Sequence, residues 1–177
     1  MKFSKFLVIK LFFILIGSSI IFNSSRVDAA EEIKIIYSIF SRTIEVNSLK
    51  NFAEQEKPTR KLKRILKATG SPDKDIRSVL NKDFEIPITI ASKLLYSEIG
   101  NIVLTRLSSI IHPPKAIDER TGVLALRASL IQGIKIGNGK INLINFFEGY
   151  PTKTVILDVN ALSKVMNKVE SISELLD

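Results

Sequence analysis

The chain has 177 residues, of which 45% are hydrophobic and 25% are charged, and its formal net charge is +8. This length suits one domain, and the composition is typical of a folded globular protein rather than a disordered one. The absence of cysteine excludes disulfides, a thiolate nucleophile, cysteine-ligated metals and a lipid-modified cysteine anchor. The charge suits attraction to an anionic lipid or polymer, but it lacks the dense basic stripe of a nucleic-acid binder, so we expect no nucleic-acid partner.

The start of the chain has the three-part pattern of a secretory signal. Met1–Lys5 is short and basic, Leu11–Phe22 is mostly apolar, and a polar stretch then leads to Val27-Asp28-Ala29. The small residue Ala29 and the modest residue Val27 predict cleavage between Ala29 and Ala30. The apolar run is shorter than the about 20 residues that a membrane span needs.

This pattern predicts an exported protein that is periplasmic or extracellular. Residues 1–29 form the signal peptide, and residues 30–177 form a single helical domain, because no linker, repeat or low-complexity tract divides them. The alternative is an uncleaved N-terminal anchor in the membrane.

Strand patterns occur near both ends of the predicted mature chain. Apolar residues alternate with polar ones over Ile33–Tyr37 and again around Ile44 and Val46, and Val155, Leu157 and Val159 repeat the pattern near the other end. Period-two alternation is the signature of half-buried strands. We therefore predict a small antiparallel sheet that both ends of the mature chain build together.

The sequence between these strands has helical spacing. It predicts helices after Asn47, Thr59 and Pro72, over residues 88–95, from Ser97, over residues 122–134 and 141–147, and after Asn160. The helix from Ser97 carries one wide apolar stripe, the pattern of a core-facing helix, formed by Ile99, Ile102, Val103, Leu107, Ile110 and Ile111. The predicted fold class is mainly α (α+β), a compact helical domain with a small sheet.

No residue pattern in the sequence predicts a catalytic, cofactor or metal site. The one histidine, His112, precedes two prolines, and we expect it to mark a helix C-terminus. The Gly-x-Ser-x-Gly elbow of serine hydrolases is absent. Asp118 and Glu119 are adjacent loop acids, whereas an acid/base pair needs carboxylates that face each other across a cleft.

A glycine-rich segment near residue 137 weakly resembles a phosphate-binding loop. It contains Gly133, Gly137, Gly139 and Lys140, but the spacing is wrong and Ile141 stands where Ser or Thr would bind magnesium. A turn between two elements is the favoured interpretation.

One segment concentrates positive charge, and it consists of Lys57, Arg60, Lys61, Lys63, Arg64 and Lys67. These cations could contact an anionic lipid or polymer. The favoured alternative is a solvated helix face. No aromatic residues lie among them, so base stacking has no platform.

Five segments taken in order resemble one known family. They are Ile33–Glu54, Leu94–Ile111, Ala125–Ile131, Gly139–Pro151 and Thr154–Leu162. The family is the cyanobacterial alpha/beta hydrolase of unknown function (domain of unknown function 1400). The resemblance implies that this chain is the helical module that lies, in longer members, N-terminal to a serine hydrolase domain similar to lipases. It brings no catalytic residue, because no position here matches one.

We therefore expect an exported, non-catalytic interaction or accessory module of the cell envelope or periplasm. Its partner would be an envelope protein or a hydrolase, and no cofactor is expected. The alternative is one part of an esterase- or lipase-like serine hydrolase, split or truncated. The apolar strand residues Ile35, Tyr37, Ile44 and Leu157 are candidates for the partner surface, although core positions are the favoured interpretation of such residues.

Overall fold

The computed structural model describes residues 29–54, 57–69, 72–115, 118–162 and 164. The predicted signal peptide up to residue 28, Gly70, Ser71, and Val165, Met166 and Val169 of the predicted last helix lie outside these residues. The elements in chain order are β1 (Glu32–Tyr37), β2 (Phe40–Glu45), α1 (Val46–Glu54), α2 (Arg60–Thr69), α3 (Asp73–Leu80), β3 (Phe84–Glu85), α4 (Ile88–Leu95), α5 (Glu98–Ser108), β4 (Ile111–His112), α6 (Glu119–Ile136), β5 (Lys140–Ile141), α7 (Leu143–Glu148) and β6 (Thr154–Asp158).

The main sheet has the strand order β2-β1-β6-β4. Strands β1 and β2 form an antiparallel hairpin in which Ile33 lies opposite Ile44. Strand β6 then pairs with the other side of β1, with Val155 opposite Ile33. A smaller sheet joins β3 to β5.

The fold class is confirmed, since the domain is mainly helical and both ends of the predicted mature chain build the sheet. The predicted antiparallel pairing holds for β1 with β2, but β1 and β6 are parallel. Strand β4, which the sequence did not predict, pairs with β6 in the antiparallel direction. The helices between these two strands form a long crossover, and such a connection lets the returning strand run in the same direction as the first. The main sheet is therefore mixed.

The core lies between the inner face of this sheet and the helices. Helix α6 runs through the centre, where Leu126 is buried, and it packs against α5 on one side and α7 on the other. Helix α1 contributes Phe52 from the far side. The Lys50 ammonium of α1 reaches Glu148 of α7 at 2.7 Å, which links the two helices at the surface.

Small residues bring α6 and α7 into close contact. The Ser129 hydroxyl of α6 donates to the carbonyl oxygen of Phe146 in α7. A Cβ atom at Gly149 would lie 2.7 Å from both the amide nitrogen of Gly133 and the carbonyl oxygen of Ser129. The backbone at the end of α7 therefore contacts the backbone of α6 directly, and only glycine fits at residue 149.

His112 lies in the edge strand β4 and not at a helix end, as the sequence had suggested. Helix α5 ends at Ser108, and the Ile110 carbonyl then accepts a hydrogen bond from the Asp158 amide. Pro113 disfavours a helical conformation at the residue before it, so His112 is extended and pairs with Ile156 of β6.

Candidate interaction surface

The surroundings of His112 contain no catalytic arrangement. Its Nδ1 lies 2.9 Å from the carbonyl oxygen of Pro113, and within the described residues neither ring nitrogen bonds a serine hydroxyl or a carboxylate. No group of three or more histidine or acidic side chains that could hold a metal ion occurs in the part of the chain that the structure describes. A nucleophile activated by a neighbouring base is therefore missing from these residues.

Tyr150 is the other polar group with an unusual environment. Its side chain is fully buried, and burial raises the pKa of the Tyr150 hydroxyl well above its usual range. The hydroxyl finds no hydrogen-bond partner among the described residues. The hydroxyl therefore lies inside the core, away from solvent.

The glycine-rich segment near residue 137 forms a turn, as favoured from the sequence. Gly137 ends helix α6, and its amide donates to the carbonyl oxygen of Gly133. Lys140, the residue in the place of a phosphate-binding lysine, pairs with Glu85 at 3.1 Å across the small sheet.

Asp118 caps the central helix α6. Its carboxylate accepts hydrogen bonds from the amide and the hydroxyl of Thr121, both at 2.8 Å. These hydrogen bonds, that from the backbone amide first, hold the pKa of the Asp118 carboxyl below its usual range. The residue therefore has a structural role at the N-terminus of α6, as expected for an aspartate in this position.

We expect an Asp118→Ala variant to lose stability at neutral pH and to lose less of it in acid. Because the folded-state pKa is depressed, the ionised cap stabilises the fold above the unfolded-state pKa, and this contribution disappears as the pH falls through the folded-state value. Thermal unfolding of variant and wild type across the acid range measures the difference. An Asp118→Asn variant, which keeps a capping oxygen, should retain most of the stability without the acid dependence. A loss in the alanine variant that is equally large at every pH would contradict this role.

The six cations of the basic segment are all exposed. Leu62 and Leu66 of α2 point into the core, and the cations occupy the opposite side of the helix. No carboxylate of the described residues pairs with any of the six cations Lys57, Arg60, Lys61, Lys63, Arg64 and Lys67. Contact with an anionic lipid or polymer stays a prediction for this face.

The strand residues considered as a partner surface are mostly part of the core. Ile44 is buried, and Ile35 and Leu157 are partly buried against the core cluster. Tyr37 differs, because it is exposed at the tip of the β1–β2 hairpin together with Ile39 and Phe40.

The outer side of α4 and α5 has the largest accumulation of exposed apolar side chains. We call it the outer apolar face, and it is formed by Ile90, Leu94, Tyr96, Ile99, Ile102, Val103 and Leu107. Ile99 is 70% exposed and Ile102 is 50% exposed. Ile102 and Val103 follow Ile99 at three- and four-residue spacing, so their side chains adjoin on the surface of α5. Exposed apolar patches larger than scattered single residues often mark interaction sites.

The stripe predicted to face the core from α5 therefore points outward over most of its length. The reason is the opposite side of the helix, where Gly100, Leu104 and Ser108 follow at four-residue intervals and are buried. A Cβ atom at Gly122 of α6 would lie 2.7 Å from the Ser108 Cβ, so the two helices touch through small residues. This close packing on α6 leaves the large side chains of α5 on the surface.

Arg127 of α6 fixes the corner between α4 and α5. Its Nε donates to the carbonyl oxygen of Leu95 at 2.9 Å, and its Nη2 donates to Asn101 Oδ1 at 3.0 Å. The guanidinium also lies 4.8 Å from the centre of the Tyr96 ring. The outer apolar face is thus held in shape by the core helix beneath it.

An open groove of about 660 Å³ lies beside the start of α6. Its lining is mostly apolar and contains no histidine or carboxylate, and it includes Pro113, Leu124, Ala125, Ala128 and Pro151. Its lining therefore offers no imidazole or carboxylate as a general base.

A family model described as alpha/beta hydrolase of unknown function (DUF1400) matches residues 29–158. The chain belongs to this family. No curated protein and no solved structure shows a significant match to it. The DUF1400 range runs from the residue before the predicted cleavage site to the last residue of β6, so it coincides with the unit that the main sheet closes.

Within the described residues, no helix of this DUF1400 domain is long and apolar enough to cross a bilayer. The outer apolar face also lies inside the matched range.

The sequence pattern identified four residues of this face, Ile99, Ile102, Val103 and Leu107, but favoured a position toward the core. The signal that could have corrected it is the small-residue pair Gly100 and Ser108 on the other side of α5.

Proposed function

We propose that this DUF1400 chain is an exported, non-catalytic interaction module that serves as an accessory domain for a protein of the cell envelope or periplasm. The observation that carries the proposal is the outer apolar face. Exposed isoleucine and leucine side chains lower the free energy of the system when a partner covers them. A rigid surface, such as the one that Arg127 supports, loses little conformational freedom when it binds.

The first contacts of the described residues are compatible with the export part of the proposal. Ala30 is buried, and the amide of Glu31 donates to the carbonyl oxygen of Lys153 at 2.9 Å. The predicted cleavage between Ala29 and Ala30 would leave this first contact of the fold intact. The cations of α2 would supply a further contact, with an anionic lipid or polymer of the envelope.

The family description favours a second candidate function, membership of a serine hydrolase system. In that case the outer apolar face would cover a hydrolase, and the catalytic groups would belong to the partner. The absence of a serine–histidine pair among the described residues supports the non-catalytic role of this chain within such a system.

The purified protein is expected to show no hydrolysis of short-chain p-nitrophenyl esters above background. The assay is repeated after a second purification, which removes contaminating esterases. Activity that survives this step and is lost in a Ser→Ala variant of this chain would contradict a non-catalytic module.

Affinity capture from the native envelope fraction tests the interaction. A partner that binds the wild type is expected to be lost with Ile99→Asp and retained with Val79→Asp. The control residue Val79 is an apolar side chain of α3 that is 58% exposed and lies outside the outer apolar face. Equal capture by both variants would refute the role of this face.

A further inference from the structure

One line of residues along α5 has an unusual order of charges. Glu98, Ile102 and Arg106 follow one another at four-residue intervals, so their side chains form one ridge along the helix. All three are exposed. Within the described residues, neither the Glu98 carboxylate nor the Arg106 guanidinium has a charged partner.

The charges of this ridge match those of a second copy of the ridge that runs in the opposite direction. If a second α5 runs antiparallel with Ile102 opposite Ile102, each Glu98 comes opposite an Arg106 of the other helix. Two ion pairs then flank an apolar centre, and the positive end of each helix dipole lies beside the negative end of the other. The neighbouring apolar residues Ile99, Val103 and Leu107 lie on the same side and extend the contact.

We propose that two copies of this chain associate through their outer apolar faces, with the α5 helices antiparallel about a two-fold axis. The inference rests on the proposed function and narrows it: a second copy of the chain is the partner that covers this face, and an envelope protein then binds the dimer. A two-fold interface requires one surface that matches itself, and the acid–apolar–base order of the ridge meets this requirement. Leu94 of α4 and Tyr96, which follows that helix, widen the contact beyond α5.

The same charges argue against the other occupants of this face. On an anionic lipid surface the repulsion of Glu98 would offset the attraction of Arg106, so the ridge as a whole would gain no net electrostatic attraction there. A partner of unrelated sequence would need its own base and acid at matching separations. A second copy supplies both groups at the required spacing without any further condition.

The test is the mass of the purified protein in solution, measured by light scattering and sedimentation over a series of micromolar concentrations. The wild type is expected to be a dimer. Ile102→Asp places two carboxylates on the axis and should weaken dimerisation by at least roughly tenfold. Ile99→Asp should act in the same direction, and its position is more exposed, so folding tolerates it. Val79→Asp is the control and should remain dimeric.

Charge reversal gives a readout that a loss of folding cannot imitate. Glu98→Arg alone and Arg106→Glu alone each place like charges opposite one another at both ends of the interface, and each should weaken the dimer. The double variant restores opposite charges and should recover most of the affinity. A dimer with wild-type strength in both single variants, or no recovery in the double variant, would overturn the antiparallel arrangement.

A wild type that is monomeric throughout the concentration series would refute the dimer. If that monomer still captures an envelope protein through Ile99, the proposed function stands and only the inference about its partner is wrong. If the monomer instead binds vesicles of anionic lipid and Ile102→Asp abolishes this binding, the face is a lipid contact. Binding to such vesicles that is unchanged in Ile102→Asp but lost after substitution of the α2 cations assigns lipid contact to the basic segment.

Discussion

Replacement of Phe52 by alanine is expected to lower the free energy of unfolding by about 3–5 kcal/mol. The side chain of Phe52 is 1% exposed and joins α1 to the core. Its ring also lies 4.6 Å from the guanidinium carbon of Arg77 in α3, so the truncation removes contacts to two helices at once. The cavity that remains is lined by side chains that relax only in part, which adds to the lost transfer free energy.

Phe84→Ala is the matched control for this prediction. Phe84 undergoes the same chemical change, but its side chain is 52% exposed and its main charged neighbour is Lys82 at the surface. We expect the control to cost less than about 1 kcal/mol, since exposed substitutions usually have small effects. Urea unfolding curves of the two variants measure the difference. Similar losses would show that α1 is not anchored through Phe52.

The second large effect is expected for Gly100→Ala, with a loss of about 3 kcal/mol at the upper end of the usual range for overpacking. A Cβ atom at residue 100 would lie 2.0 Å from the carbonyl oxygen of Leu94. That oxygen belongs to the backbone and already accepts hydrogen bonds from the amide and hydroxyl of Ser97, so it cannot move away. In an isolated helix the same change would stabilise by about 1 kcal/mol, so the sign of the result reports the tertiary contact.

Gly139→Ala separates steric conflict from backbone conformation. Gly139 has a φ of +93°, but a Cβ atom there would meet no atom within 4 Å. The strain of a left-handed conformation costs an alanine about 1–2 kcal/mol. We therefore expect Gly100→Ala to be the more destabilising of the two in thermal unfolding. The reverse order would mean that α5 can shift away from α4 at little cost.

The sequence predicted the helices and strands whose capping residues or periodic patterns lie within or next to the element itself. Ser97 was expected to begin a helix, and its hydroxyl accepts a hydrogen bond from the Gly100 amide at the start of α5. Thr59 plays the same part for α2, where its hydroxyl accepts from the Leu62 amide. Periodic alternation also identified β1, β2 and β6, because each is long enough to show a pattern.

The two-residue strands could not be predicted in this way. Strands β4 and β5 are shorter than one repeat of any pattern and exist because a neighbouring strand supplies their hydrogen bonds. For β3, Pro87 favours an extended conformation just before it and so indicates the strand from the sequence. The sequence also does not reveal which residue caps the last helix. Asn160 was expected to cap it, but Asp158 accepts the hydrogen bonds from the amides of Asn160 and Ala161. Asn160 instead accepts a hydrogen bond from the amide of Ser38 in the hairpin, a contact between distant parts of the chain.

The sequence predicted which residues of α5 share one side of the helix but not that this side is exposed, and the reason is physical. Periodicity shows that Ile99, Ile102 and Leu107 share one side of a helix, but it does not say whether that side meets the core or a partner. Packing against the core and binding a partner would both bury these apolar side chains. The decision depends on how closely the other side of α5 can approach its neighbours, and two small residues settle it: Ser108 lies against Gly122 of α6, and Gly100 lies against the backbone of Leu94 in α4.

The parallel pairing of β1 with β6 determines how the domain carries a mechanical load. In this register Glu32 lies beside Thr154 and Ile36 lies beside Asp158, so the chain enters at one end of the ladder and leaves β6 at the other. A pull applied between residues 31 and 159 acts along both strands and shears the ladder, so that its hydrogen bonds share the force. If the chain entered and left the β1–β6 ladder at the same end, the pull would break the hydrogen bonds of the ladder one after another. The parallel pairing therefore places a load on these two residues along the direction in which the ladder resists it most.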